Sequence, residues 1–143
     1  MSDRISGASL GAKESRFCDP DDADNLIQIT PEDAPQLGGF RAWGGNDQII
    51  STQGNDTANG NAGNDTIVGA GGDNMLKGGQ GNDLSDGGEG DDIIMSNQGD
   101  DYLVGPAGND VIRGGAGIDV LMGNAGNDIL IGDSGADFLI GSF

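Results

Sequence analysis

Residues 78–95 read GGQGNDLSD followed by GGEGDDIIM, two nine-residue units that share their glycines and an aspartate. The same unit recurs in phase from residue 44 to residue 143, with no insertion or deletion. Glycine supplies 29 of the 143 residues, and strict phase argues against a flexible linker of the same composition. Repeats of fixed short length are typical of solenoids, in which each unit stacks on its neighbours. The repeat therefore decides the fold class.

Each unit has a turn-forming part of six residues and a strand-forming part of three, as in Thr66-Ile67-Val68. Side chains alternate across a strand, so the middle residue of each three is predicted to point inward. That residue is aliphatic in most copies, and Ala58 and Ser85 are the weak ones. The inward set is Ile49, Ile67, Leu76, Ile94, Leu103, Ile112, Leu121, Leu130 and Leu139. A core only one residue deep is expected.

The formal net charge is −18, and the acidic excess is concentrated in the repeats, where Lys77 and Arg113 are the only bases. Such a density opposes compaction unless cations neutralise it, and it disfavours binding to nucleic acid. No apolar stretch reaches the roughly 20 residues that a membrane helix needs. The N-terminus also lacks the apolar segment of a signal peptide. We expect no membrane span, and export, if it occurs, without a cleaved leader.

Three copies, residues 78–83, 87–92 and 114–119, fit the pattern GGxGxD in full. The repeats resemble the RTX family of haemolysin-type calcium-binding nonapeptides, G-G-x-G-x-D-x-U-x. The resemblance implies an all-β protein, a parallel β-roll that is a right-handed β-solenoid with two nonapeptides per coil. It also implies several Ca²⁺ ions between loops stacked on the same side, and a secreted bacterial protein that is extracellular or on the cell surface.

The resemblance further implies which residues bind calcium, in two rows of aspartates. The first edge carries Asp47, Asp65, Asp83, Asp101, Asp119 and Asp137, and the second carries Asp56, Asp92, Asp110 and Asp128. Backbone ligands are expected at Gly81, Gly90, Gly99, Gly108, Gly117 and Gly126. We call the space between two successive loops of one edge a gap. There are five gaps on the first edge and four on the second, so at most nine ions are expected to bind.

Asn74 stands where the second edge should have an aspartate. A carboxamide offers one oxygen and no charge, so Asn74 is expected to weaken the two gaps that it borders. Asp73 could replace it if the loop shifted. Because the irregular copies concentrate in the first half, the copies from Gly87 onward are predicted to be the better calcium sites.

The sequence divides into an N-terminal segment, residues 1–42, and the calcium-binding roll, residues 43–143. The apolar run Leu26, Ile27 and Ile29 predicts one strand. Residues 26–43 would then cap the first repeat, which otherwise has an exposed layer. A disordered lead-in is the alternative that the sequence leaves open.

Two serine motifs, GxSxG at residues 7–11 and GDSG at residues 132–135, suggest nucleophilic catalysis. Both chemistries need a histidine base, and the chain has none. We therefore expect no enzymatic activity, and a secreted scaffold module that folds on calcium.

Two alternatives stay open: a calcium-dependent adhesion or surface protein, or a detached C-terminal module of a secreted hydrolase. The first draws on outward apolar residues that increase toward the C-terminus and would serve self-association or a protein partner. They are Tyr102, Val104, Val120, Met122, Phe138 and Ile140 on one sheet, and Ile93, Met95, Val111, Ile129 and Ile131 on the other.

Overall fold

A computed structural model describes residues 3–6, 17–18, 23–28 and 39–141. These residues form strands, turns and bends, and no helix occurs among them. The described residues therefore contain no helix that is long and apolar enough to cross a membrane. The strands are β1 (Asp3–Ser6), β2 (Phe17–Cys18), β3 (Asn25–Gln28), β4 (Phe40–Arg41), β5 (Gln48–Ile50), β6 (Thr57–Ala62), β7 (Thr66–Val68), β8 (Met75–Gln80), β9 (Leu84–Asp86), β10 (Ile93–Met95), β11 (Tyr102–Val104), β12 (Val111–Ala116), β13 (Val120–Met122), β14 (Ile129–Ser134) and β15 (Phe138–Ile140).

The strands alternate between two parallel sheets, which together make a β-solenoid of about six turns. Odd-numbered strands form the eight-stranded sheet and even-numbered strands the seven-stranded one, each in chain order. Paired strands are two repeats apart, as Ile49 beside Ile67 and Ile94 beside Ile112 illustrate. Two nonapeptides therefore complete one coil, and the all-β, parallel β-roll prediction is confirmed.

The core is a single file of inward side chains between the sheets. Residues from Ile49 to Leu121 in this file are fully buried, including the weak copies Ala58 and Ser85. The file ends differently from the expectation, because Leu130 is only partly buried and Leu139 is 47% exposed. These two residues belong to the last strands of their sheets, where no further coil covers them.

Both sheets extend to the N-terminal side of residue 43. Strand β3 pairs with β5 and places Ile27 beside Ile49, while β4 pairs with β6. Ile27 and Phe40 are buried in the core, whereas Trp43 is exposed. The strand predicted at Leu26 and Ile27 coincides with β3; Ile29 lies outside the described residues. The division at residue 42 and the capping role of residues 26–43 stay predictions.

Ser85 provides a test of the core. Its side chain is fully buried and its hydroxyl has no hydrogen-bond partner. A buried polar group without a partner costs about 1–3 kcal/mol. We expect Ser85→Ala to raise the free energy of unfolding by about 1 kcal/mol in saturating calcium, measured by thermal unfolding. Ser134→Ala, at an exposed position, is the control and should change little; a loss of stability in Ser85→Ala would contradict this packing.

Candidate metal centre

Turns connect the two sheets at both edges, and the aspartates of the repeat lie on their inner side. The side chains of seven of these aspartates are at most 6% exposed, although no basic residue lies among them. They are Asp47, Asp56, Asp65, Asp83, Asp92, Asp101 and Asp110. Asp119 is fully buried as well. Burial of this many ionisable carboxylates is costly unless each is hydrogen-bonded or paired with a cation.

In the inner aspartates other than Asp56, one carboxylate oxygen belongs to a regular ladder. On the first edge, the backbone N–H of Asp65 donates to Oδ1 of Asp83 at 2.9 Å, and that of Asp83 donates to Oδ1 of Asp101 at 2.7 Å. The second edge repeats the arrangement, with Asp92 donating to Asp110 at 2.8 Å. Every bond of this inner ladder joins equivalent residues of successive same-edge loops. The ladder therefore fixes the carboxylates without using their second oxygen.

The second oxygen, Oδ2, is buried and has no hydrogen-bond partner in most rungs. This holds for Asp65, Asp92, Asp101, Asp110, Asp119 and Asp128. Two rungs differ, because Oδ2 of Asp56 accepts bonds from Thr52 and Oδ2 of Asp83 has Ser96 Oγ at 3.4 Å. Buried polar atoms are normally satisfied, so a row of unsatisfied carboxylate oxygens indicates a place for cations.

A second ladder of hydrogen bonds runs along the outer side of the same loops. In this outer ladder the N–H of the later residue donates to the earlier one, which is the reverse of the inner ladder. Oδ1 of Asn64 accepts the N–H of Asn82 at 2.8 Å, and Oδ1 of Asp73 accepts that of Asp91 at 3.0 Å. These residues are exposed. The outer ladder explains the Asn or Asp that precedes most aspartates of the repeat. It also places Asp73 on the outside, away from the inner position that it was expected to fill if the loop shifted.

Six of the inner carboxylates have a raised pKa and bind protons more tightly than ordinary aspartates. Burial raises the pKa of Asp83 to about 7 and that of Asp110 to about 6, while a backbone hydrogen bond opposes the shift in each case. Burial also raises the pKa of Asp65, Asp92, Asp101 and Asp119. Neighbouring carboxylates add to the increase at Asp83 and Asp110. The row resists negative charge unless a cation offsets it.

A backbone carbonyl oxygen of the next loop lies near the unsatisfied carboxylate oxygen of Asp65. A methyl group placed on Gly60 would lie 2.1 Å from Asp65 Oδ2 and 2.8 Å from the carbonyl oxygen of Gly78, in the next loop. Within the described residues no group of three or more acidic, histidine or cysteine side chains is placed to hold one ion. Carbonyl groups would therefore have to complete any site. Calcium accepts six to eight such oxygens in flexible geometry, so this donor set fits it.

The glycines predicted as backbone ligands are required by the backbone. Gly81, Gly90, Gly99, Gly108, Gly117 and Gly126 all have positive φ, between 114° and 148°. Each lies two residues before an inner-ladder aspartate, and a Cβ there would meet the loop of the preceding coil. The structure thus places all predicted aspartates and glycines in two stacks of loops. Which of them bind the metal directly stays a prediction.

Sequence reasoning missed three residues of these stacks. Asn25 continues the inner ladder toward the N-terminus, with its N–H donating to Asp47 Oδ1 at 2.8 Å, and Asp24 continues the outer one. The nine-residue phase hides them because they lie 22 residues before their partners rather than 18. Thr52 was missed because only glycine was expected at its position.

Of the two serine motifs, residues 7–11 lie outside the described residues. In the other, Asp133 is paired with Arg113 at 2.5 Å on the protein surface. This ion pair lowers the pKa of Asp133 through the hydrogen bond from Arg113. The Asp133 of this motif therefore takes part in an ion pair on the outer surface of the protein. Catalysis by the serine of the motif would need a histidine base, and the sequence contains no histidine.

The fold and the two rows of carboxylates define a parallel β-solenoid whose stacked turns are built to hold divalent cations. Comparison with protein families supplies the particular class. The family model described as RTX calcium-binding nonapeptide repeat (4 copies) matches residues 44–76, 77–112 and 105–139. The chain belongs to this family, whose repeats bind Ca²⁺. No curated protein and no solved structure matched the chain.

The ionisation of the inner carboxylates predicts how calcium binding depends on pH. Calcium needs the ionised carboxylates, and in the metal-free chain, which we expect to be unfolded, these groups have ordinary aspartate pKa values. Calcium affinity should therefore fall below about pH 5, where binding should release protons. Without calcium the sign reverses. A folded-state pKa above the ordinary 3.8 contributes stability that is complete below about pH 4 and is lost as the pH rises toward 7 at Asp83.

Calorimetry in two buffers with different ionisation enthalpies measures the proton release, at matched ionic strength as the control. An affinity that is unchanged over this range, with no buffer dependence of the heat, would show that the buried carboxylates are not the groups that bind calcium.

Proposed function

We propose that the chain is a calcium-binding scaffold module of a secreted protein, and that calcium binding completes its folding. The observation that supports this most directly is the row of buried Oδ2 atoms without partners at Asp65, Asp92, Asp101, Asp110 and Asp119. Near the Oδ2 atom of Asp65 lies a backbone carbonyl oxygen of the next loop, that of Gly78. A divalent cation between successive loops satisfies both kinds of oxygen and neutralises two aspartates.

Location outside the cell fits the expected affinity. Extracellular calcium modules bind at about 10⁻⁴ to 10⁻³ M, which is far above the calcium concentrations that cytosolic sensors detect. A chain of this kind stays unfolded during export and folds once it reaches millimolar calcium. We propose a structural rather than catalytic role, since the repeats form a structural calcium-binding fold.

Calorimetric titration of calcium into chelator-treated protein tests the proposal. We expect several ions per chain and at most nine, with folding monitored on the same samples by circular dichroism. Magnesium is the control cation, since it requires a smaller octahedral site and dehydrates reluctantly. Absence of binding, or binding of calcium and magnesium with equal affinity, would contradict a calcium-binding module.

A second candidate function, calcium-dependent adhesion or self-association, is favoured by the apolar outer surface near the C-terminus. On the outer face of the eight-stranded sheet, Phe138 is 63% exposed and lies on the same strand as Ile140, beside Val120 and Met122 of the neighbouring strand. On the outer face of the other sheet, Ile129 is 56% exposed and lies on the same strand as Ile131. Contiguous exposed apolar side chains of this kind mark interaction surfaces. Light scattering coupled to size exclusion in calcium distinguishes the candidates. A dimer that Phe138→Ser converts to a monomer supports association, and a concentration-independent monomer excludes self-association.

A further inference from the structure

Asn74 occupies a position of the inner ladder that other coils give to aspartate, and it is almost fully buried. Its Oδ1 accepts the N–H of Asp56 at 2.9 Å, while its own N–H donates to Asp92 Oδ1 at 2.8 Å. The amide therefore maintains the ladder as an aspartate does. The difference lies in the second terminal atom, which is a nitrogen carrying two hydrogens.

That nitrogen donates to backbone carbonyl oxygens on both sides of one gap. Nδ2 of Asn74 lies 3.0 Å from the oxygen of Gly72, 3.4 Å from that of Gly71 and 3.2 Å from that of Gly87. Gly71 and Gly72 belong to the same loop as Asn74, and Gly87 begins the next loop of the second edge. The amide hydrogens thus bridge successive loops through their carbonyl groups.

The same place in a regular coil holds an unsatisfied carboxylate oxygen. A methyl group on Gly69 would lie 2.3 Å from the Gly87 oxygen and 2.8 Å from Asn74 Nδ2. The equivalent methyl on Gly60 would meet the Gly78 oxygen and Asp65 Oδ2 in the same way. At Asp65, the carboxylate Oδ2 and the carbonyl oxygen of Gly78 are both acceptors, so they repel each other. At Asn74, the amide Nδ2 is a donor and the carbonyl oxygen of Gly87 accepts its hydrogen bond. The Asn74–Asp92 gap is satisfied without a cation.

The preceding gap of this edge is closed by a different contact. Oδ2 of Asp56 accepts hydrogen bonds from both the backbone N–H and the hydroxyl of Thr52, each at 2.8 Å. Thr52 replaces the second glycine of the repeat. The Asp56–Asn74 gap therefore also lacks an unsatisfied carboxylate oxygen, and the two closed gaps are adjacent.

Resting on the calcium-binding function proposed above, we propose that Asn74 takes the place of a calcium ion. Its amide hydrogens hold loops 69–74 and 87–92 together, and the Thr52–Asp56 contact closes the neighbouring gap. These two gaps bind no calcium, so the upper limit falls from nine ions to seven. The second edge thereby contains a short calcium-independent segment, and its remaining sites lie beside Asp92 and Asp110.

The test is the number of bound ions in three variants, measured by calorimetry. Asn74→Asp restores the carboxylate and is expected to add one ion relative to the unchanged chain. Asn55→Asp makes the same charge change at the exposed outer ladder of the same edge and should add none. Asp92→Asn, which transfers the amide to the next gap, should remove one ion while the protein still folds in calcium.

A second readout does not depend on counting ions. Asn74→Ala removes the bridging hydrogens and should lower the thermal midpoint in saturating calcium without changing the ion number, whereas Asn55→Ala should lower it much less. An unchanged ion number in Asn74→Asp, or equal midpoints for the two alanine variants, overturns this inference while calcium binding by the other gaps stands. If the unchanged chain binds no calcium, the proposed function itself fails.

Discussion

Excess chelator is expected to unfold the repeat block, residues 44–139, and to abolish most of its strand signal in far-UV circular dichroism. The core explains why packing alone does not suffice. Each nine-residue unit buries one aliphatic side chain, which contributes about 1.5–3 kcal/mol, whereas fixing the backbone costs about 1–2 kcal/mol for every residue. Buried carboxylates without partners add to the cost. Metal binding must therefore supply folding free energy.

Readdition of millimolar calcium should restore the strand signal, and magnesium at the same concentration should not. Denaturant unfolding in calcium and in chelator gives the difference in stability directly. Spectra that are identical in both conditions would mean that the solenoid is stable by packing and hydrogen bonding alone.

Gly108→Ala is expected to destabilise the calcium-bound protein by about 3 kcal/mol or more. Gly108 has a φ of 129°, which side chains rarely adopt, and a Cβ there would lie 1.9 Å from the carbonyl oxygen of Gly90. Both the conformation and the close approach of stacked loops therefore exclude a side chain. The methyl group would separate two loops that must lie together to share an ion, so the calcium midpoint for folding should also rise.

Gly54→Ala is the matched control, because Gly54 lies at the same position of the repeat and on the same edge. Its φ is not positive, and a methyl group there would meet only Thr52 Oγ1, at an ordinary 3.6 Å. Thermal unfolding in saturating calcium should show a large decrease for Gly108→Ala and a small one for Gly54→Ala. Equal decreases would mean that glycine is not required by the stacking.

The fold could be predicted from the sequence because one physical rule repeats in every unit. Inward positions such as Ile67, Ile94 and Leu103 must be apolar, and positive φ at positions such as Gly108 requires glycine, so both constraints appear in the sequence. The sorting of aspartates into two edges follows from the two-repeat coil. The periodicity of the residues was therefore sufficient to predict the two sheets, the core and the location of the carboxylates.

The details that decide which gaps bind metal were not accessible in this way. Nothing in the repeat pattern indicates that Thr52 hydrogen-bonds to Asp56, or that the Asn74 amide bridges carbonyl groups, because both depend on side-chain geometry. Asn25 was missed for another reason, because it lies 22 residues before Asp47 in the sequence, whereas successive positions of the ladder are otherwise 18 residues apart. The prediction that copies from Gly87 onward are the better sites stays a prediction, and the closed gaps before Asp92 support it.

The most direct test is anomalous X-ray scattering from crystals of the calcium-loaded protein. Calcium peaks are predicted between stacked loops of both edges, beside Oδ2 of Asp65, Asp101 and Asp119 on the first and of Asp92 and Asp110 on the second. No peak is predicted beside Asn74. Ordered protein with no calcium between its stacked loops, or with calcium only on the outer ladder of Asn64, Asn82 and Asp91, would contradict calcium binding by the inner carboxylates.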